Sequence, residues 1–200
     1  MFTELTAVAL DAAAVHASLG LVACTGPADL SRPTPCADWT LHGLITHMTA
    51  QHYGFAAAAA GDDDPARWWP RRLGRDHVAD YRAAAQAVLA ALAAPGVLDR
   101  QFPLPEFAGS PSFPGRQAIS FHFVDYVVHS WDVARTLGRD LDLAPEVLEA
   151  ALAVARVVPR GGARLVPGAA FAPAVDAPGD SPLDEIVALL GRDPGWSPPG

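Results

Sequence analysis

The chain has no lysine and no asparagine; all 14 of its basic residues are arginine, set against 22 acids for a net charge of −8. Nucleic acid demands a basic face, so this balance argues against a nucleic-acid partner. There are two cysteines, Cys24 and Cys36. They are too few for a disulfide scaffold and have no C-x-x-C spacing, which excludes a zinc finger and suits reduced thiols in a cytoplasmic protein. No apolar run approaches the roughly 18 residues of a membrane span. The N-terminal stretch has no basic leader, and Glu4 and Asp11 interrupt its apolar positions, so it is not read as a signal peptide. H-E-x-x-H, G-x-S-x-G, G-x-G-x-x-G and Walker loops are all missing. That removes the zincins, the α/β-hydrolases and the common nucleotide-binding folds.

What is present is a helical pattern. Half of the 200 residues are hydrophobic, enough for a full core in one domain with a small appendage. Apolar residues at helical spacing predict helices over about 2–24, 39–60, 76–94 and 115–138, with Asp38 as the N-cap of the second. A fifth helix fits about 144–157, opened by Pro145, and a last short one about 183–190. The stretch 97–114 is proline-rich and reads as irregular; 159–182 is rich in Gly, Pro and Ala and has room for one short strand. Four long helices joined by loops make an all-α, antiparallel four-helix bundle over 1–140. Residues 141–200 form a short, mostly irregular C-terminal extension packing on it. There is no internal repeat and no coiled-coil heptad.

The stretch FHFVDYVVHSWDVART, 121–136, is nearly all apolar apart from a line of acids and histidines, His122, Asp125, His129 and Asp132, spaced 3, 4 and 3 apart. On a helix that spacing stacks all four on one face. A helix so greasy elsewhere is buried, so the stripe enters the interior, where unpaired polar groups cost several kcal/mol. Asp125 and His129, an i, i+4 pair, can reach one cation together, and a carboxylate with a neutral imidazole is an ordinary divalent-metal ligand set. A third ligand has to come from a facing helix. His47, at the flank of the Leu44, Ile45, Met48 and Phe55 stripe, is the choice among seven histidines. The residues alone leave open that these are hydrogen-bonded core groups. His122 is either a fourth ligand, a catalytic group or a packed core residue. Asp132 either accepts from His129 or pairs with Arg135 or Arg116. Cys36 sits just before a helix start and is read as a packing residue. Arg67, Arg71, Arg72 and Arg75, with Trp68 and Trp69, are either a lid that grips carboxylates, Arg71 and Arg72 binding a cofactor, or a solvated connection.

TPCADWTLHGLITHM, followed about 75 residues later by FVDYVVHSWDVARTLG and closed by LLGRDPGW, resembles the actinobacterial metal-binding members of the DinB-like superfamily. These include the N-terminal domain of mycothiol-dependent maleylpyruvate isomerase. The resemblance covers about 1–140 and 183–196. It implies a four-helix bundle holding one divalent metal through one ligand of helix two and two of the last bundle helix, here His47, Asp125 and His129. It further implies mycothiol as a cosubstrate of a transferase or isomerase acting on a small electrophile. Zinc suits the ligand set best, with Ni, Fe or Mn also compatible. Two departures stand out. The isomerases carry Glu where this chain has Asp125, and the tail of about 60 residues is too short for their second domain. Maleylpyruvate isomerisation itself is therefore not expected. The alternatives are a non-catalytic metal- or small-molecule-binding protein and a metal-assisted hydrolase. A monomer or homodimer with no membrane partner completes the expectation.

Overall fold

The computed structural model describes residues 4–36, 39–105, 112–166, 169–176 and 180–198. Its elements run α1 (Glu4–Val22), α2 (Leu41–Ala59), α3 (His77–Leu92), β1 (Gln101–Pro103), β2 (Ser112–Pro114), α4 (Gly115–Thr136), α5 (Pro145–Val157) and α6 (Pro182–Leu189), with three 3₁₀ turns between. Among the described residues, no helix is long and apolar enough to cross a membrane.

The four long helices form a ring in which α1 touches α4, α4 touches α2, α2 touches α3, and α3 touches α1. Consecutive helices α1 and α2 therefore lie on one diagonal, and α3 and α4 on the other. A diagonal step needs a long connection, which explains the loop between Val22 and Leu41. That loop is ordered by its own bonds: an isolated bridge joins Pro33 to Thr40, and the Leu41 and His42 amides donate to the Arg32 and Leu30 carbonyls. The cap of α2 is Thr40, in extended conformation with its side chain accepting from the Gly43 amide. This corrects the Asp38 expectation, a residue outside those described. The tight turn into the helix leaves Thr40 as the residue immediately before the first helical position, where a cap must stand.

α4 is the hub. From Ala118 to Thr136 nearly every residue is buried, as its all-round apolar character requires. Its N-terminus comes directly off a small hairpin, β1 pairing antiparallel with β2 in the register Phe102↔Phe113. The 97–114 segment is thus not wholly irregular: Phe102 and Leu104 are fully buried beside Ile119, Phe55 and Trp68, and the hairpin plugs that end of the bundle. Alternating burial along three residues was too short a pattern to read as a strand. Gly115 is needed at this junction, because a Cβ there would overlap the Val97 carbonyl.

The C-terminal extension builds on the other core, around Leu44, Tyr126 and Val133. α5 packs on α4 and α1, and α6 packs on α5 and α4. No strand forms among the described residues of 159–182; Arg164 organises that segment instead, donating to the carbonyls of Pro159, Ala172 and Leu189. Arg135 of α4 reaches out to the Trp196 carbonyl and fixes the final arm.

Candidate metal centre

His47 comes from α2, and Asp125 and His129 from the adjacent α4, one helical turn apart. One ligand atom from each, all lying within 4.8 Å of one another, forms a cluster with the charge and donor types a cation needs. The Asp125 Oδ1 to His129 Nε2 separation is 3.4 Å. That is longer than an ordinary hydrogen bond of about 2.7–3.2 Å. It is close to the separation of about 3.4 Å expected between two ligands bonded at about 2.1 Å to one tetrahedral ion. The donor set and the spacing fit a divalent metal. His129 is nearly sealed, with 4% of its side chain exposed, whereas Asp125 keeps 18%, so the cluster opens on the Asp125 side. Trp39, just before α2, lies over the His47 ring at 4.4 Å and within 6.2 Å of His129.

The His129 ring has a defined donor side. Its Nδ1 stands 2.9 Å from Asp132 Oδ2. A carboxylate accepts, so Nδ1 carries the hydrogen and the Nε2 lone pair faces His47 and Asp125. Asp132 in turn is paired, with no exposure, to the buried Arg192 of the C-terminal arm, at 3.1 Å. Burial opposes the Asp132 charge, but the Arg192 guanidinium and the His129 N–H outweigh it and hold the carboxyl below its ordinary value. Burial also works against the Arg192 charge, yet Asp132 prevails and raises it. Both partners shift toward the charged state, as a satisfied buried pair should. His47 is pushed down to about 4, first by burial and then by the neighbouring His129, against a smaller opposing pull from Asp125. It is therefore neutral at pH 7, the state in which imidazole donates a lone pair.

His122 goes elsewhere. It is fully buried, its Nδ1 2.6 Å from Asp11 Oδ1 of α1 and its Nε2 3.2 Å from His52 Nδ1 of α2. Both ring nitrogens are used away from the triad. His52 stacks on Tyr126 at 4.1 Å and lies 5.2 Å from Tyr81 of α3. All four helices thus contribute to one polar layer across the bundle. His52 Nε2 is buried with no hydrogen-bond partner among the described residues. Asp132 takes both its sequence-level role beside His129 and an ion pair, but with Arg192 rather than Arg135 or Arg116. Arg71 lies over the Tyr53 ring at 5.8 Å and Arg72 is exposed; among the described residues neither is bonded to the triad. Trp68 is buried against Phe55, while Trp69 is 65% exposed. Among the described residues Cys24 and Cys36 form no disulfide, and Cys36 Sγ lies 3.5 Å from Arg192 Nη2.

Arg192, Trp39 and the Asp11–His52 pairings with His122 escaped sequence reasoning. The Arg192 and His122 pairings join residues far apart in the chain, which no local pattern of the sequence reveals.

The sequence model of the mycothiol maleylpyruvate isomerase N-terminal domain family matches residues 12–134. That span includes His47, Asp125, His129 and Asp132 and stops short of Arg192. Two uncharacterized proteins of Mycobacterium tuberculosis, from strains CDC 1551 and H37Rv, are each 35% identical over 165 residues, covering 82% of this chain and 85% of their own length. No solved structure matches the chain.

Proposed function

The chain belongs to the mycothiol maleylpyruvate isomerase N-terminal domain family, and from that premise we propose that it holds one divalent ion, most naturally zinc, through His47, Asp125 and His129. We further propose that it uses the ion to bind mycothiol for transfer to, or isomerisation of, a small electrophile. The observation that carries this reading is the gathering of two imidazoles and one carboxylate within 4.8 Å on one accessible side of the bundle. Three protein ligands are the number found in catalytic rather than closed sites, which keep a position for water or substrate. An ion held there supplies a Lewis acid that lowers the pKa of a thiol.

The chain's own residues prepare that site. His47 is kept unprotonated, His129 presents Nε2, and Asp125 supplies the single anionic ligand atom. Asp132 and Arg192 cancel one another. A divalent ion and Asp125 then leave one net positive charge, which favours a monoanion such as a thiolate. Asp125 is one methylene shorter than the Glu of the isomerases, so maleylpyruvate isomerisation is not carried over to this chain. A cytoplasmic enzyme goes with Cys24 and Cys36 outside any disulfide.

Titration calorimetry tests the proposal. Zinc-loaded protein should bind mycothiol, and chelated protein should bind it far more weakly. Arg71→Ala and Arg72→Ala should weaken binding modestly where their loop grips the thiol's sugar or acyl part. Equal affinity with and without metal, or no binding to either, would remove the thiol chemistry and leave a metal-binding protein without it.

A further inference from the structure

We infer that the C-terminal arm is a working part of the metal centre: Arg192 acts through Asp132 as a positioning residue that fixes the ligand face of His129. The inference rests on the metal reading above, but its evidence is separate.

Asp132 Oδ2 receives the His129 Nδ1 hydrogen at 2.9 Å and the Arg192 Nη2 hydrogen at 3.1 Å, while Arg192 Nε points at Asp132 Oδ1 from 3.4 Å. The carboxylate is thus held from two sides, by the ring it orients and by a two-pronged guanidinium. Neither side chain of the ion pair is more than 4% exposed. A carboxylate buried with no counter-charge is strongly unfavourable, so Asp132 depends on Arg192 to stand beside His129 in its present geometry.

The arm is built to deliver that guanidinium. Gly191 adopts φ +84 after α6, and a Cβ there would collide with Ala172, so the turn into Arg192 needs glycine. The Arg192 amide donates to Val187, its Nη1 donates to the Leu190 carbonyl, and its guanidinium lies 6.0 Å from the Phe171 ring. Further along, Arg135 secures the Trp196 carbonyl. The arm therefore crosses the end of α4 with its one inward cation placed on Asp132. This contact comes from outside the matched 12–134 segment, so it is a contribution of the extension and not of the bundle.

A merely structural tie would hold the tail down and leave the ion's surroundings alone. The two roles separate in zinc affinity, measured by chelator competition, and in the visible spectrum of cobalt-loaded protein. Groups that orient a metal-bound histidine typically cost 10–100-fold in affinity when removed. Arg192→Ala should weaken zinc binding by about 10–100-fold and shift the cobalt bands, and Arg192→Lys, keeping the charge without the fork, should recover part of the loss. Arg156→Ala breaks the exposed tie to Glu185 within the same extension and should change neither. A third readout needs no metal. ¹⁵N shifts of the His129 ring in chelated protein should show hydrogen on Nδ1 in the wild type and a mixture of tautomers in Arg192→Ala. If Arg192→Ala fails to fold, Arg192→Lys and Arg192→Gln carry the same comparison. Zinc affinity in these variants within twofold of wild type, with an unchanged His129 tautomer, would overturn the inference. If wild type binds no zinc, the metal reading falls, and the tautomer comparison alone decides whether the arm orients His129.

Discussion

His129 sits between two carboxylates and one imidazole, with each ring nitrogen committed to a different neighbour. Its truncation removes a ligand from the centre of the cluster, so His129→Ala should lose most of the bound metal by elemental analysis, and full occupancy would show that the triad is wrong. Asp125→Glu probes the family difference directly. With 18% of Asp125 exposed, the longer acid has space toward solvent, so the variant should keep its metal at a stability cost below the roughly 1–3 kcal/mol of an overpacked core. His52 offers a test independent of the metal. Burial, followed by the neighbouring His122, pushes it well below its ordinary 6.5. The unfolded chain takes up a proton near pH 6.5 that the folded chain refuses. Its full contribution to stability is therefore present above pH 6.5 and is lost as pH falls below it, by up to about 1.4 kcal/mol per pH unit for each such proton. In the chelated protein His47 adds in the same direction, down to about 4. Urea midpoints at pH 7, 6 and 5 should fall accordingly. His52→Phe, which keeps a ring on Tyr126, should flatten the slope by about one proton.

The elements differ in how far they could be read. α4 was legible, because eleven apolar positions and a 3-4-3 polar stripe describe a buried helix with a purpose. α3 was legible to within two residues, since Asp76 caps it by accepting from the Ala79 amide. The start of α2 was displaced because Asp and Thr both cap helices, and the bridge between Pro33 and Thr40 decides between them in three dimensions. The β1–β2 hairpin was invisible for want of length. Pairing across elements was invisible altogether: the stripe of α4 predicted that His122 needed a partner, but not that Asp11 and His52 would supply it. The 65–75 connection is mostly surface but sends Trp68 and Leu73 into the core, a division its composition did not show. Trp68 rests directly on Gly54 of α2, and a Cβ there would overlap the indole. Gly54→Ala should displace Trp68 and lower stability by about 1–3 kcal/mol in urea denaturation, although alanine is the better helix former.

At the scale of the molecule, two cores divide the labour. The hairpin end is closed by Phe102, Trp68 and Ile119, and the other end carries the extension and, across α2 and α4, the cluster of His47, Asp125 and His129. Folding of the bundle does not rely on an ion, because the triad lies beside a core already filled by Leu44, Met48, Tyr126 and Val127. Chelation should therefore leave the helical circular dichroism intact while lowering the melting temperature. Metal at 100 times its Kd stabilises the folded state by about 2.7 kcal/mol, and an unfolded metal-free chain would contradict this. The central claim is that two imidazoles and one carboxylate of this chain hold a single divalent ion. X-ray absorption of the zinc-loaded protein tests it most directly, compared with the His47→Ala variant. The account predicts one zinc per chain with a first shell of nitrogen and oxygen at about 2.0–2.2 Å, two of the ligands scattering as imidazoles, and one imidazole fewer or no bound zinc in His47→Ala. A shell without imidazole, or one unchanged by His47→Ala, would contradict it.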